Sequence, residues 1–250
     1  MSHLPGKFVW FEHVSGDIAR ARAFYEPLLG WRSETMPMGE GFDYPMIMNG
    51  AAAIGGYHAD SSQPSRWVSH LSVDDVDQRC AAALAAGARP LMPPRDFGQV
   101  GRGAAVVDPT GAAVNLWRGN GDDPADTETV PVGGWFWNEL STPDAPKALA
   151  FYESVFGFSH DSMDMGPGGM YHVLKGADGK MRAGLMQSPA PEVPPMWLPY
   201  VKVADCDASA AQAAALGGQV MMAPADIPNV GRFAVICDPL GAALALMKPV

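Results

Sequence analysis

Apolar side chains near the start of the chain recur at the spacing of a helix that buries one face. The positions i, i+3, i+4 and i+7 of this segment are all apolar: Ala21, Phe24, Tyr25 and Leu28. Asp17 stands before them, where a carboxylate can accept hydrogen bonds from the first helical turn, and Gly30 stands after them as a left-handed stop. The aromatic and apolar residues before Asp17 predict a strand. This segment therefore predicts a strand followed by a capped helix.

The same order of strand, cap, helix and stop returns in the second half of the chain. A shift of 127 residues superimposes three marker pairs: Trp10 on Trp137, Asp17 on Asp144, and Gly30 on Gly157. A shift of 130 residues superimposes three more: Trp67 on Trp197, Gly101 on Gly231, and Asp108 on Asp238. Fixed offsets over such lengths indicate an internal repeat, with a short insertion between the two pairs of segments.

Turn signals divide each half of the chain further. Asp108-Pro109-Thr110-Gly111 suits a type I turn and predicts a hairpin between 104–107 and 113–117. Alanine-rich segments at about 78–86 and 208–216 predict two more helices. The pattern predicts an α+β fold of four modules, each a strand, a helix and several strands: about 8–58, 66–118, 134–187 and 196–248. We predict two tandem domains over 1–119 and 133–250, joined by a polar, acidic linker at 120–132.

Composition limits the function classes. The chain has 250 residues, of which 48% are hydrophobic and 18% charged, and this predicts a compact fold with a real core. Its net charge of −10 and its lack of basic runs argue against nucleic-acid binding. The start of the chain lacks a signal-peptide pattern, and no long apolar run predicts a membrane span. Three cysteines without CxxC spacing favour reduced thiols, so we expect a cytoplasmic protein, either a monomer or a homodimer.

Three features of the chain resemble the vicinal oxygen chelate superfamily. They are the strand–Asp–helix segments with Phe-Tyr and a terminal glycine, the Val-Asp-Asp-Val sequence at 73–76, and the Asp-Pro-x-Gly hairpins. This superfamily contains glyoxalase I, bleomycin-resistance proteins and extradiol dioxygenases. The second half resembles the tandem glyoxalase-like proteins that are often labelled hydroxylases. The resemblance covers all four modules and implies βαβββ modules, paired so that each domain is an open eight-stranded cup with its site inside.

The resemblance also implies where a divalent metal would be bound in catalytic members, by about four His, Glu or Gln side chains. The first-strand position falls on Trp10 and Trp137, and the second falls on Val68 and Leu198. The last falls on Asn115 and Ala245. The remaining carboxylate position falls near 56–58 and 185–187, which contain no Glu or Asp. The standard metal quartet is therefore not predicted in either domain, and glyoxalase I or extradiol dioxygenase activity is disfavoured.

Polar residues beside these positions are the candidates for a site, because strand residues two apart share a face. We predict that Glu12, His70 and Asn115 converge in the first cup, and that Glu139 and Tyr200 occupy the matching places in the second. The complete predicted ligand-binding set is Trp10, Glu12, His70, Arg102, Asn115, Trp137, Glu139, Tyr200 and Arg232.

Each candidate has a structural alternative. Glu12 and Glu139 could be structural carboxylates that cap a turn or pair with Arg102 or Arg232, which would then be structural as well. His70 could be a satisfied core or interface histidine. His13 points away from Glu12 on its strand, so surface or interdomain packing is its expected role.

Three functional hypotheses follow. The leading one is a glyoxalase/bleomycin-resistance-like protein without the standard metal quartet that binds a small apolar or aromatic molecule in its cups. The alternative is a metal-dependent lyase, isomerase or oxygenase whose catalytic candidates are Glu12 and His70 in a shifted site, with a divalent metal as its cofactor. The third is a scaffold protein whose cups are filled by side chains.

Overall fold

The computed structural model describes residues 2–38 and 43–250. Four modules follow one another, each with the order strand, helix, three strands. The first module contains β1 (Phe8–Ser15), α1 (Ile18–Leu29), β2 (Arg32–Pro37), β3 (Asp43–Asn49) and β4 (Ala52–Ala59). The second contains β5 (Arg66–Ser72), α2 (Val76–Ala85), β6 (Arg89–Phe97), β7 (Gly101–Val107) and β8 (Ala113–Gly119).

The second half repeats this order. The third module contains β9 (Trp135–Thr142), α3 (Ala145–Phe156), β10 (Ser159–Asp164), β11 (Met170–Lys175) and β12 (Met181–Gln187), with a short 3₁₀ turn at Gly166–Gly168. The fourth contains β13 (Met196–Lys202), α4 (Cys206–Ala215), β14 (Gln219–Ile227), β15 (Gly231–Cys237) and β16 (Ala243–Pro249). The predicted α+β fold of four βαβββ modules is confirmed.

The strands form two eight-stranded mixed sheets. The first has the order β2-β3-β4-β1-β5-β8-β7-β6, and the second has the matching order β10-β11-β12-β9-β13-β16-β15-β14. Strands β1 and β4 run parallel, as do β5 and β8, whereas β7 and β8 form an antiparallel hairpin. Among the described strands neither sheet closes into a barrel, which agrees with the open sheets that the resemblance implied.

The helices begin where capping carboxylates stand. Asp17 accepts a hydrogen bond from the backbone N–H of Arg20, and Gly30 ends α1 with φ of +68°. Helix α2 begins at residue 76 and α4 at 206, two residues before the predicted starts, because Asp75 and Asp205 cap them. Within the described residues, no helix has both the length and the hydropathy that a membrane span needs.

The Asp-Pro-x-Gly segments form the expected tight turns. The N–H of Gly111 donates to the carbonyl of Asp108 over 3.1 Å, and Val107 faces Ala113 across the hairpin. The Asp108 carboxylate also accepts hydrogen bonds from the backbone N–H groups of Thr110, Gly111 and Ala112. This side chain therefore holds the turn from inside, as Asx turns do.

The chain forms two compact units that combine modules from both halves. Unit 1 contains the chain up to Trp10 together with Ser69–Asp126 and Trp137–Trp197. Unit 2 contains Phe11–Val68, Thr127–Phe136 and Leu198–Val250. The predicted domain boundaries follow the repeat along the chain, and they stay a prediction.

A buried series of hydrogen bonds joins elements from different modules within unit 1. The hydroxyl of Tyr152, on α3, donates to Asp108 over 2.9 Å and accepts from the indole N–H of Trp197 over 2.9 Å. Both Tyr152 and Asp108 are buried. Burial, and next the Asp108 charge, raise the pKa of the Tyr152 hydroxyl well above its ordinary value, so it remains a donor.

Unit 2 has the matching series of hydrogen bonds and one additional histidine. Trp67 donates to the hydroxyl of Tyr25 over 2.9 Å, and Tyr25 is hydrogen-bonded to Asp238. His13 Nε2 lies 2.6 Å from the Asp238 carboxylate, and both side chains are fully buried. The surface role considered for His13 is therefore wrong. Its partner lies in the second half of the chain, as packing between the predicted domains requires.

The His13–Asp238 pair predicts a pH effect on stability. Burial by itself raises the pKa of the Asp238 carboxyl, but the hydrogen bond and charge of His13, together with hydrogen bonds from the backbone N–H groups of Ala242 and Leu240, lower it overall. A carboxyl with a lowered folded-state pKa contributes stability above its unfolded pKa of about 3.9 and loses it as pH falls through the folded value. We expect His13→Leu, which installs the residue found at the equivalent position 140, to flatten the decline in unfolding free energy between about pH 5 and pH 3. Urea unfolding at both pH values measures this decline, and an equal decline in wild type and variant would contradict the prediction.

Candidate functional site

Trp137 and Glu139, two of the predicted site residues, lie on the half-buried face of β9. Asn138 and Leu140 point into the core of unit 1 with 2% and 0% exposure, whereas Trp137 and Glu139 alternate with them on the opposite face. The prediction that Trp137 and Glu139 share a face is therefore confirmed.

Tyr171, on β11, joins these two side chains. Its hydroxyl accepts a hydrogen bond from Trp137 Nε1 over 2.9 Å and is hydrogen-bonded to the Glu139 carboxylate. Burial, followed by the Glu139 charge, raises the pKa of Tyr171 far above its ordinary value. The phenol therefore stays neutral, and it fixes the carboxylate by donating to it.

Gly184 makes room for the phenol. It lies opposite Glu139 in the parallel pairing of β12 with β9. A Cβ atom at position 184 would overlap the Tyr171 hydroxyl and would lie 2.8 Å from Trp137 Nε1. Only glycine leaves the space that this hydrogen-bonded arrangement occupies.

The first half of the chain has the same three residues, this time within unit 2. The Tyr44 hydroxyl, on β3, donates to Glu12 Oε1 over 2.6 Å. Gly56, on β4, lies opposite Glu12, and a Cβ atom there would overlap the Tyr44 hydroxyl. We call each set of glutamate, tyrosine and glycine a Glu–Tyr–Gly site.

Methionines surround both sites. In unit 1, the cross-strand neighbours of Tyr171 are Met163 and Met186, and these residues share its face. In unit 2, Met36 lies opposite Tyr44 and Met46 lies opposite Gly56. Each carboxylate–phenol pair therefore lies on an apolar surface whose side chains adapt readily to a ligand.

The sequence prediction missed both tyrosines and both glycines. A signal was present, because the repeat offset of 127 residues carries Tyr44 onto Tyr171. The contact itself depends on the register of three neighbouring strands, which no local pattern specifies.

Two other predicted site residues are neighbours within unit 1. His70, on β5, lies opposite Asn115 on β8, and the His70 ring packs edge-on against Trp117 with ring centres 6.0 Å apart. The predicted convergence of Glu12 with His70 and Asn115 stays a prediction.

Tyr200 occupies the place in β13 that His70 has in β5. It lies opposite Ala245, is only 4% exposed, and stacks on Phe233 with ring centres 6.4 Å apart. This position is aromatic and buried in the second half, whereas its counterpart in the first half is an imidazole. The two halves therefore differ in chemistry at this point.

The two predicted arginines lie in carboxylate clamps. Arg102 is bound by Asp77 over 2.6 Å and by Asp96 over 2.9 Å. Arg232 has the same arrangement with Asp207 at 2.6 Å and Asp226 at 3.0 Å. The carboxylates that bind both arginines in these ion pairs are aspartates. The ion pairs favour a structural role for both arginines, since each guanidinium already faces two carboxylates.

The positions that the family uses for its metal do not present a suitable donor set. Trp10, Trp137, Val68, Leu198 and Ala245 have no side-chain atom that coordinates a hard or borderline cation, and Asn115 offers only an amide. In the described part of the chain, no three His, Cys, Asp or Glu side chains are grouped closely enough to hold a metal ion. These residues do not fit the family's metal.

Comparisons with known proteins agree with this fold. The sequence profile described as "Glyoxalase/Bleomycin resistance protein/Dioxygenase superfamily" matches residues 7–116 and 136–246. A relative from Mycobacterium tuberculosis, named "Putative glyoxylase CFP32", is 43% identical over 96% of this chain and 94% of its own length. The anthracycline biosynthesis protein DnrV of Streptomyces peucetius is 30% identical over 98% of this chain and 94% of its own length.

Solved structures show the same architecture. The Mn(II)-bound glyoxalase from Novosphingobium aromaticivorans aligns with a TM-score of 0.65 at 17% identity, covering 98% of this chain and 82% of its own. BphC, a halotolerant catechol dioxygenase, aligns with a TM-score of 0.62 at 16% identity, covering 99% of this chain and 88% of its own. At such identities these structures show the fold alone. With the profile match over both halves, this chain belongs to the glyoxalase/bleomycin resistance protein/dioxygenase superfamily.

Proposed function

We propose that this protein binds a small apolar or aromatic molecule on the sheet faces that carry its two Glu–Tyr–Gly sites, without the metal quartet of catalytic relatives. The observation that carries the proposal is the repetition of the same glutamate, tyrosine and glycine in both halves of the chain.

The chemistry of the sites supports an apolar ligand with one polar group. Neutral Tyr171 donates to Glu139 and so holds the carboxylate in place, and carboxylate oxygens are hydrogen-bond acceptors. Methionine side chains around it supply polarizable, flexible contact area. Sites that combine an apolar lining with a few fixed polar groups are typical of small-molecule binding.

A named relative suggests the first probe. DnrV is an anthracycline biosynthesis protein and matches this chain over nearly its full length. An anthracycline combines a planar aromatic surface with hydroxyl donors, as the Glu–Tyr–Gly sites require. We therefore choose an anthracycline as the test ligand.

Tyrosine variants test the proposal. We expect Tyr44→Phe and Tyr171→Phe each to weaken anthracycline binding in its own half by about 10-fold, because each releases its glutamate from a fixed position. Calorimetric titration measures the affinity and the number of sites. Arg102→Gln is the matched control, since its guanidinium is held by Asp77 and Asp96 and should leave affinity unchanged. Loss of affinity in Arg102→Gln but not in the tyrosine variants would contradict the proposal.

A second candidate is a metal-dependent enzyme, for which Glu12 and His70 are each catalytic candidates. The name of the 43% identical mycobacterial relative favours it, because that name describes a glyoxylase. Metal analysis and turnover assays of Glu12→Gln and His70→Ala test this candidate. Unchanged metal content and turnover in both variants would eliminate these residues as its site.

A further inference from the structure

Two histidines lie side by side on the edge of the second sheet. His160 is on β10, the edge strand, and His172 is on the neighbouring β11. Their ring centres are 5.4 Å apart, and the ring planes are inclined at 81°. His172 lies on the opposite face of β11 from Tyr171, so the pair is separate from the Glu–Tyr–Gly site.

Each imidazole is oriented through its Nδ1 atom. His160 Nδ1 lies 2.6 Å from Glu153 Oε1, and His172 Nδ1 lies 2.8 Å from Ser162 Oγ. A carboxylate that accepts from Nδ1–H leaves the lone pair of the ring on Nε2, where a metal can be bound. A serine hydroxyl can accept from Nδ1–H in the same way. Both rings are therefore held in the manner of metal-binding histidines.

The spacing and exposure of the rings suit one shared ion. Two imidazoles on a tetrahedral zinc, with Zn–N bonds of about 2.0–2.1 Å, have ring centres roughly 5 Å apart. The His160 side chain is 29% exposed, so solvent reaches the pair.

The first half of the chain provides an internal comparison. At the equivalent positions it has Ser33 and Pro45, and the Ser33 hydroxyl donates to Glu26 over 2.7 Å. The helix glutamate, Glu26 in the first half and Glu153 in the second, therefore forms a hydrogen bond to the strand that follows its helix. The second half therefore has histidine at both of these positions, and the first half has histidine at neither.

We propose that His160 and His172 form a two-histidine site for a borderline divalent cation such as Zn²⁺. The ion would join the edge strand β10 to β11, and water would complete its coordination. The site has two protein ligands, fewer than the four of a closed structural zinc site. It would protect an edge strand whose free hydrogen-bonding groups are otherwise open to pairing with another chain.

Zinc titration of the tag-free, chelator-treated full chain tests this proposal. We expect one saturable Zn²⁺ per chain by calorimetry at neutral pH, and at least about a 10-fold loss of affinity in His160→Ala and in His172→Ala. Glu153→Gln keeps both ligands but loosens His160, so we expect it to weaken binding by about 10-fold. The exposed histidine variant His58→Ala is the control and should bind as wild type does.

The outcomes separate clearly. Thermal unfolding of each variant without zinc shows whether it folds. If an alanine variant is unstable, Glu153→Gln still tests the site, because it keeps both imidazoles. Absence of saturable binding in the wild type overturns the proposal. So does unchanged affinity in both histidine variants, or an equal loss in His58→Ala.

Discussion

Replacing Gly184 with alanine is expected to weaken the proposed ligand binding in the second half of the chain strongly. A Cβ atom at this position overlaps the Tyr171 hydroxyl and approaches Trp137 Nε1 to 2.8 Å, so the tyrosine must leave its place beside Glu139. We expect a loss of affinity on the order of 30-fold, which corresponds to about 2 kcal/mol. Calorimetric titration with an anthracycline measures the loss.

Gly184→Ala should also lower the free energy of unfolding by about 1–3 kcal/mol, as overpacking in a dense site does. Gly121→Ala is the matched control in unit 1, because no atom lies within 4 Å of its added Cβ. Gly184→Ala with wild-type affinity at the second-half site would show that the phenol does not organise this site.

Asp108→Ala produces the largest loss of stability that we expect from a single substitution. The carboxylate accepts hydrogen bonds from three turn amides and from the hydroxyl of Tyr152, and it is 2% exposed. Its removal leaves the Tyr152 hydroxyl buried beside a vacated acceptor, which costs about 1–3 kcal/mol, and the turn loses its internal support. We expect the free energy of unfolding to fall by about 3–5 kcal/mol, measured by urea denaturation.

A double-mutant cycle tests the cause. Tyr152→Phe alone should cost about 1–3 kcal/mol, because it leaves the buried indole N–H of Trp197 without its acceptor. In the double variant Asp108→Ala/Tyr152→Phe, no hydroxyl is left without its acceptor. The free energy of unfolding should therefore fall by less than the sum of the losses in the two single variants. Strict additivity would show that the hydroxyl–carboxylate bond is not the source of the loss.

The local elements could be predicted because their signals are local. Asp17 and Gly30 stand at the ends of one amphipathic helix, and the 127-residue shift places Asp144 and Gly157 in the same roles. The Asp-Pro-x-Gly turns combine three residues whose conformational preferences agree. Helix caps, stops and hairpins therefore follow from a few neighbouring side chains.

The contacts between distant modules could not be predicted in the same way. His13 was placed on the correct face of its strand, but its partner Asp238 comes from the other end of the chain. Nothing in the strand around His13 indicates a buried ion pair. The equivalent Leu140 shows that the fold itself does not require one.

The site was predicted in part for a similar reason. Period-two alternation placed Trp137 and Glu139 together correctly. Tyr171 and Gly184 reach the same place only through the pairing of β11, β12 and β9. Sequence therefore identified the carboxylate, and strand register supplies the phenol and the space for it.

Calorimetric titration of the metal-stripped protein with an anthracycline, repeated after addition of Mn²⁺, tests the central claim most directly. Metal-independent binding on the Glu–Tyr–Gly faces predicts saturable heat in the stripped protein and the same affinity, within about twofold, after Mn²⁺ is added. Binding that occurs only with Mn²⁺ present would contradict this claim and favour the metal-dependent enzyme.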